Sequence, residues 1–213
     1  MPSSGPSSDI ERRPDRRTRG RERRRDALYA AAATLFVERG FDNTTVDDIA
    51  ERADVARATV FNHFRRKTDF VDEWSARRRK RAFEALPADK FTDTPLRTVL
   101  VTYFTELGRI STASRAETVA FMSAAVHQTN VLGRPELATE LSRFVAHARD
   151  AGELDPQTSP RRVGLLLAAT YFATLTAWVV EEPIPFDLTE ELLSSLDILL
   201  SGITPQPDQP AER

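Results

Sequence analysis

Several kinds of functional group are missing from this chain of 213 residues. It contains no cysteine, which excludes disulfide bonds and thiolate metal sites and is typical of a reducing compartment. The opening stretch, MPSSGPSSDIERRPDRR, has no apolar segment of the kind that a secretory signal needs. We therefore expect a cytoplasmic protein.

Catalytic motifs are missing as well. The three histidines, His63, His127 and His147, are scattered along the chain. No Glu-x-x-His pair is present to build a di-iron bundle, and no glycine-rich loop is present to hold a phosphate. We therefore expect no enzymatic activity, no cofactor and no metal ion, with an enzyme that uses an unmarked pocket as the alternative.

Long apolar runs are represented by one segment, residues 163–180, which reads VGLLLAATYFATLTAWVV. Its 18 uncharged residues approach the roughly 20 that a membrane-spanning helix needs. Three threonines and four alanines keep the segment only moderately apolar, so we expect a buried helix of a soluble protein and no membrane contact. A membrane-anchored helical protein is the weaker alternative.

Charge is distributed unevenly, although the net charge is only −2. Residues 1–90 hold 21 basic and 16 acidic side chains, a net charge of +5, whereas residues 91–213 have a net charge of −7. This asymmetry indicates that a bound polyanion would meet the N-terminal part, although ordinary solvated charge explains it equally well. The basic run RRRKR at residues 77–81 is expected to be the solvated face of a long helix.

Apolar residues recur with helical spacing along nearly the whole chain, and no segment shows the alternation of a strand. We predict an all-α protein of about nine helices. The pattern indicates a flexible basic arm at residues 1–20, a small head at 21–67, a larger helical body at 68–204 and a flexible tail at 205–213.

Residues 45–64 have the pattern of a helix-turn-helix. Thr45 and Asp48 form a capping box for a first short helix, and a second helix is expected from about residue 56 to residue 62 or 63. Asp54 lies in the turn, where a positive φ is often required and Asp tolerates it better than most residues. We expect a shared apolar core formed by Val46, Ile49, Ala50, Val55, Val60 and Phe64 with Leu35 and Phe36.

The exposed side of the second helix suits the major groove of DNA. Ala56 and Ala58 are small enough to let the helix backbone approach the bases. Arg57 can bond to a guanine edge and Asn62 to an adenine edge. The side chains suited to phosphate contacts are Thr45, Thr59, His63 and Lys67. The alternative is an ordinary solvated surface on which Thr45 is only a helix cap.

The stretch ALYAAAATLFVERGFDNTTVDDIAERADVARATVFNHFRRKTDFVDEW resembles the DNA-binding head of the TetR family of transcriptional regulators. The likeness covers about residues 22–80. The matching residues are Leu35-Phe36, Gly40-Phe41, Thr44-Thr45-Val46, Ile49-Ala50, Ala53, Val55, Thr59-Val60-Phe61, His63-Phe64 and Lys67.

This resemblance implies that the head, residues 21–67, is a helix-turn-helix domain that binds double-stranded operator DNA. The DNA-contacting residues that it implies are Thr44, Thr45, Arg57, Ala58, Thr59, Phe61, Asn62, His63 and Lys67. The chain departs from the family pattern at Asp54 and Ala58, where the family has glycine, and at Phe61, where it most often has tyrosine. One phenolic contact to a phosphate is therefore missing.

Beyond residue 80 the resemblance is one of helix number and order, and it implies that the body binds a small molecule and forms a homodimer. A stripe of alanines recurs every four residues and permits close helix approach: Ala169, Ala173 and Ala177. We expect the dimer to form through the helices at residues 160–181 and 187–202. The alternative is that these two helices pack only within one chain.

The resemblance also implies a pocket for the small molecule inside the body. The candidate lining residues are Tyr103, Phe104, Phe121, Met122, His127 and Trp178. Ordinary core packing would use the same aromatic residues. We predict a DNA-binding transcriptional regulator, a repressor that a small apolar ligand releases from a palindromic operator. A helical interaction protein that does not bind DNA is the alternative.

Overall fold

The computed structural model describes residues 16–87, 94–128 and 135–201, and within these ranges the chain forms nine helices and no strand. The predicted all-α fold is confirmed. The helices are α1 (Arg16–Arg39), α2 (Val46–Arg52), α3 (Arg57–His63), α4 (Asp69–Glu84), α5 (Leu96–Ala113), α6 (Arg115–Gln128), α7 (Pro135–Asp150), α8 (Pro160–Val180) and α9 (Leu188–Ser201).

The first helix begins earlier than predicted. Residues 16–20 were expected in a flexible arm, but they form the first turn and more of α1. The expectation is wrong there because a run of arginines has good helix propensity and continues the helix that Leu28 and Leu35 anchor in the core. Residues 1–15 of the arm and the tail at 205–213 lie outside the described residues.

The helix-turn-helix forms as predicted. The Thr45 hydroxyl accepts a hydrogen bond from the Asp48 amide at 3.1 Å, and the Asp48 carboxylate accepts one from the Thr45 amide at 2.7 Å, which completes the capping box. Asp54 adopts a φ of 52° in the turn, and Gly40 ends α1 with a φ of 81°. Val60 and Phe64 are buried in the same core as Leu35 and Phe36 of α1 and Ile49 of α2.

The long helix α8 lies inside the body, as expected of a buried helix. It is long and apolar enough to cross a membrane by length and composition, but half of that stretch is buried against the rest of the chain. It packs on α6, α7 and α9. Gly164 allows α7 to come very close, because a Cβ atom there would lie 2.6 Å from the Ala138 carbonyl oxygen.

The head joins the body through an aromatic cluster around Phe121 of α6. The Phe121 ring stacks on Trp74 of α4 with 5.5 Å between ring centroids, and it contacts Phe36 of α1 edge-on at 5.3 Å. Beside it, the buried Arg78 donates hydrogen bonds to the hydroxyls of Ser111 at 2.6 Å and Thr118 at 3.1 Å. Phe121 therefore contacts α1 of the head directly, as well as α4, the helix that follows the head.

Candidate nucleic-acid interface

The exposed face of α3 is small and polar, and its opposite face is anchored. Ala56, Arg57, Ala58 and Asn62 are exposed, whereas Val60 is completely buried. The helix begins where Ala56 has extended backbone, and no side chain caps it. A protruding helix with small side chains at its start has the shape that fits the major groove, because its backbone can approach the base edges.

Arg57 lies exposed at the start of α3, where Asp47 and Phe61 contact it. Its guanidinium donates to the Asp47 carboxylate at 2.7 Å and lies 5.5 Å from the centre of the Phe61 ring. Both charged side chains are about 60% exposed, at 60% for Arg57 and 61% for Asp47. Such a pair contributes little to stability in water, so Arg57 can exchange Asp47 for an acceptor on DNA at little cost.

The two threonines at the start of α2 have different positions. Thr44 is buried, and its hydroxyl donates to the Gly40 carbonyl at 2.8 Å. The Thr44 hydroxyl therefore stabilises the turn after α1, and the expected DNA contact of Thr44 stays a prediction. Thr45 is exposed, although its hydroxyl is already used in the capping box with Asp48. Its amide and hydroxyl lie at the N-terminal end of α2, where the helix dipole favours anions.

Lys67 points into the protein rather than into solvent. Its ammonium donates to the carbonyls of Phe41 at 2.6 Å and Thr44 at 3.0 Å, and it lies 4.3 Å from the centre of the Phe41 ring. Burial lowers the pKa of Lys67, while the charge of Asp42 opposes that change. The side chain therefore holds the α1–α2 turn together. The sequence led us to expect a phosphate contact for Lys67 and did not indicate this structural role.

His63 and Thr59 lie at the edge of the exposed face and are half-buried. Burial lowers the pKa of His63, and the nearby charges of Arg21, Arg25 and Arg24 lower it further. A lowered pKa favours the uncharged imidazole, which is a weaker phosphate ligand than a charged histidine. Its Nδ1 atom is buried and has no hydrogen-bond partner among the described residues.

A residue that supports the end of α3, and that the sequence pattern did not reveal, is Arg25 of α1. Its guanidinium donates to the Glu73 carboxylate of α4 at 2.6 and 3.0 Å and to the backbone carbonyl of His63 at 3.0 Å. It also stacks on the Phe64 ring at 4.5 Å. Arg25 thus ties the end of the recognition helix to two other helices. A signal was present in the spacing, because Arg25 is three residues before the buried Leu28 and so shares its helix face.

The described residues expected to line a pocket in the body are packed in the core. Tyr103, Phe104, Phe121, Met122 and Trp178 are all buried. Tyr103 contacts Phe144 at 5.5 Å and Phe104 contacts Tyr171 at 6.1 Å, whereas Phe121 lies in the aromatic cluster that joins head and body. The guanidinium of Arg115 covers the Trp178 ring at 5.2 Å. The side chain of His127 lies outside the described part of the chain.

Comparison with known proteins agrees with this architecture. The family described as bacterial regulatory proteins, tetR family, matches residues 28–74. The HTH-type transcriptional repressor KstR2 of Rhodococcus jostii (strain RHA1) is 46% identical over 56 residues, which are 26% of this chain and 28% of that protein. The match with this repressor therefore spans little more than a quarter of its length.

Two further proteins match over nearly the whole chain. The HTH-type transcriptional regulator TcmR of Streptomyces glaucescens is 26% identical over 197 residues, which are 87% of each chain. The crystal structure of Thermus thermophilus FadR, a TetR family transcriptional repressor in complex with lauroyl-CoA, has a TM-score of 0.67 at 26% identity. That likeness covers 89% of this chain and 99% of FadR. The helix-turn-helix head of this chain therefore matches the tetR family of bacterial regulatory proteins over residues 28–74, and the whole chain is similar in fold to a TetR family repressor.

Proposed function

We propose that the protein is a cytoplasmic transcriptional repressor that binds a palindromic DNA operator as a homodimer and leaves it when a small molecule binds to the body. The observation that carries this proposal is the exposed, small-residue face of α3 around Arg57, held from behind by the buried Val60 and Phe64. A rigidly supported recognition helix of seven residues can read only a few base pairs, so two copies are needed for a specific site.

The candidate DNA-contacting residues of α3 and its neighbouring turns divide into two roles. Arg57 and Asn62 would bond to base edges, and Ala58 would let the helix approach. Thr45, Thr59 and His63 would hold the phosphate backbone from either side of the groove, with Lys67 supporting the turn that positions Thr45. Phe61 is 39% exposed and would pack against a sugar or a thymine methyl group rather than donate to a phosphate.

A dimer through α8 and α9 is supported by the apolar side chains that these helices expose. The alanine stripe of α8 lies on its outer side, where Ala173 is exposed and Ala169 and Ala177 are half-buried. Large apolar residues of α8, α9 and the segment between them are exposed and would be covered by a second copy: Leu165, Leu166, Val180, Ile184 and Ile198, each between 46% and 72% exposed. Exposed apolar side chains of this size are typical of a protein interface when they lie together.

Release by a small molecule is supported by the relatives and by the junction between head and body. KstR2 is a repressor, and FadR was crystallised with lauroyl-CoA. In this chain α6 contacts both α1 and α4 through Phe121, so a shift of α6 would move the two heads of a dimer relative to each other. A coupling free energy of about 1–3 kcal/mol between the sites would change DNA affinity roughly 5–150-fold.

The DNA-binding half of the proposal is tested by selecting binding sites for the purified protein from a random pool of DNA duplexes. We expect a symmetric consensus with two half-sites one or more helical turns apart, at about 34–36 Å per turn. A footprint on the DNA that flanks the protein's own gene should then contain this consensus. No enrichment of any sequence would contradict the proposal and favour a helical interaction protein.

The dimer is tested by placing a charge on the exposed face of α8. Leu166→Glu should convert the protein to a monomer in sedimentation experiments at micromolar concentration, because a buried unpaired carboxylate is costly. Val37→Glu is the matched control, since Val37 is 45% exposed but lies on α1 of the head. Equal sedimentation of the wild type and both variants as dimers would contradict an interface at Leu166.

A further inference from the structure

A cleft of about 620 Å³ lies between α4 and α7. Its volume is within the range of roughly 300–1,000 Å³ that is usual for small-molecule sites. We call it the α4–α7 cleft, and the side chains of it that matter here are Arg79, Phe83, Thr139, Glu140, Arg143 and Phe144.

One wall of the α4–α7 cleft is aromatic. The rings of Phe83 and Phe144 lie with centroids 6.3 Å apart and planes 21° apart, Phe83 half-buried and Phe144 buried. Together with Pro135 they offer an apolar surface that is open at one side. Such a surface gains free energy when it covers the apolar part of a ligand, since both lose contact with water.

The other wall is charged and holds two guanidiniums, Arg79 and Arg143, together with two carboxylates, Glu136 and Glu140. The Arg79 Nε lies 3.4 Å from a carboxylate oxygen of Glu140, and both side chains are less than a fifth exposed. Arg143 is exposed at the mouth of the cleft and forms no ion pair with any residue in the described ranges. A guanidinium in this position can bind a carboxylate or a phosphate with two parallel hydrogen bonds.

Glu140 has a second neighbour besides Arg79, the hydroxyl of Tyr103. Burial raises the pKa of Glu140, although the charges of Arg79 and Arg143 and the hydroxyl of Tyr103 act in the opposite direction. The Tyr103 hydroxyl faces this carboxylate from the core and is buried without a hydrogen bond of normal geometry to any described residue. A second anion beside Arg79 could therefore displace Glu140, whose carboxylate could then accept a hydrogen bond from the Tyr103 hydroxyl.

We propose that the α4–α7 cleft binds an amphipathic organic anion, whose carboxylate or phosphate contacts Arg143 and Arg79 and whose apolar part covers Phe83 and Phe144. This inference rests on the proposed function, because such a molecule would be the effector that releases the repressor. It replaces a purely apolar ligand with one that carries a negative charge.

The position of the cleft gives this ligand a route to the DNA-binding head. A second cleft, of about 360 Å³, shares Arg79 and Glu136 with the first and continues to Arg25 and His63. His63 is the last residue of the recognition helix, and Arg25 is the residue that ties it to α1 and α4. A ligand that moves Arg79 therefore changes the wall of a space that the recognition helix also borders.

The chemical class is tested with four ten-carbon probes that differ only in their head group. Decanoate and decyl phosphate carry the anion, 1-decanol is neutral and decylammonium is a cation. Their affinities for the full-length protein are measured by titration calorimetry below the concentration at which each aggregates, and operator release is followed in the same buffer. We expect decanoate or decyl phosphate to bind at least about tenfold more tightly than decanol, and decylammonium to bind more weakly still.

The location is tested with three variants. Arg143→Gln should weaken binding of the anionic probe about tenfold or more, whereas Arg109→Gln, an exposed arginine of α5 outside the cleft, should leave it unchanged. Thr139→Trp should block binding by filling the cleft, and because Thr139 is exposed its melting temperature should stay near that of the wild type.

Equal binding of anionic and cationic probes, or equal effects of Arg143→Gln and Arg109→Gln, would overturn the proposal. So would undiminished binding to Thr139→Trp. Specific operator binding that no anionic probe affects would overturn the effector site and leave the DNA-binding function standing. Anion binding in the cleft by a protein that binds no DNA would leave the site standing and remove the proposed function.

Discussion

The indole ring of Trp74 and the phenyl ring of Phe121 lie stacked, with planes only 4° apart and centroids 5.5 Å apart. Trp74 belongs to α4, which continues from the DNA-binding head, and Phe121 belongs to α6 of the body. The pair is buried, and Phe36 of α1 contacts the same phenyl ring. This stacking is therefore a direct mechanical link between the part that would sense a ligand and the part that would bind DNA.

The stacking of Trp74 on Phe121 should be measurable as a coupling energy. We expect a double-mutant cycle with Trp74→Leu and Phe121→Leu to give an interaction of about 0.5–1.5 kcal/mol in the free energy of unfolding. The control cycle pairs Trp74→Leu with Phe83→Leu, which is nine residues further along α4 and so roughly 13 Å away. The free energies of unfolding are measured with urea. If the effects of the two substitutions add up in both cycles, the stacking of Trp74 on Phe121 contributes no interaction energy of its own.

Lys67 should matter for stability as well as for DNA binding. Lys67→Met removes two hydrogen bonds to backbone carbonyls, so we expect the free energy of unfolding to fall by about 1–3 kcal/mol. Lys80→Met serves as the control, because the Lys80 side chain is 76% exposed and only faces Glu84. If both variants unfold at the same urea concentration as the wild type, Lys67 does not support the α1–α2 turn.

Glu73 should make stability depend on pH. Burial alone would raise the pKa of Glu73, but hydrogen bonds from Arg25 and Arg77 lower it below its ordinary value of 4.5. A lowered pKa in the folded state means that the stabilisation is complete above pH 4.5 and is lost as pH falls through the folded-state value. Glu73→Gln should therefore cost about 1–3 kcal/mol near pH 7, and progressively less in more acidic solution.

Urea unfolding of the wild type and Glu73→Gln between neutral and acidic pH checks this expectation, with Glu84→Gln as a control for an exposed carboxylate. A cost that stays constant with pH would show that Glu73 acts through its shape and not through its charge.

Replacement by alanine should change the stability of the protein in opposite directions at two helical glycines, Gly164 and Gly20. Gly164→Ala places a Cβ 2.6 Å from the Ala138 carbonyl oxygen, so we expect a loss of about 1–3 kcal/mol as α7 and α8 are pushed apart. Gly20→Ala has nothing within 4 Å of the new Cβ and should stabilise α1 by up to about 1 kcal/mol through helix propensity. Thermal unfolding of the two variants should show a lower melting temperature for Gly164→Ala and a higher one for Gly20→Ala. An unchanged melting temperature for Gly164→Ala would contradict the close packing of α7 and α8.

Local features of the fold could be predicted because their causes lie within a few residues. Thr45 and Asp48 are three residues apart, and their capping box needs no partner from elsewhere. Asp54 in the turn and Gly40 after α1 take positive φ values as their positions require. Helical spacing of apolar residues was sufficient to place Val60 and Phe64 in the core and to leave Arg57 and Asn62 outside.

The basic side chains that turn inward could not be predicted in the same way. Arg78 was expected on a solvated face, yet it is buried because Ser111 and Thr118, 33 and 40 residues away, provide its hydrogen bonds. Lys67 likewise finds its acceptors at Phe41 and Thr44. Nothing in the spacing along one helix shows which distant carbonyls or hydroxyls will be near, so arginine and lysine are assigned to the surface by default.

The α4–α7 cleft was missed for a related reason. Its aromatic wall takes Phe83 from one helix and Phe144 from another, and its charged wall pairs Arg79 with Glu140. The sequence pattern instead favoured the most aromatic stretches, which placed Phe121 in a pocket rather than at the junction with the head. Which aromatic residues fill the core and which border a cleft depends on the packing of whole helices.

The central claim, that Arg57 on α3 reads DNA for a repressor, is tested most directly by comparing Arg57→Ala with the wild type on the selected operator and on random DNA. We expect the variant to lose about 1–3 kcal/mol of binding free energy on the operator, to lose its preference at one base position of each half-site, and to bind random DNA nearly as well as before. Equal weakening on operator and random DNA would make Arg57 a phosphate contact, and unchanged affinity for both would contradict the assignment of α3 as the recognition helix.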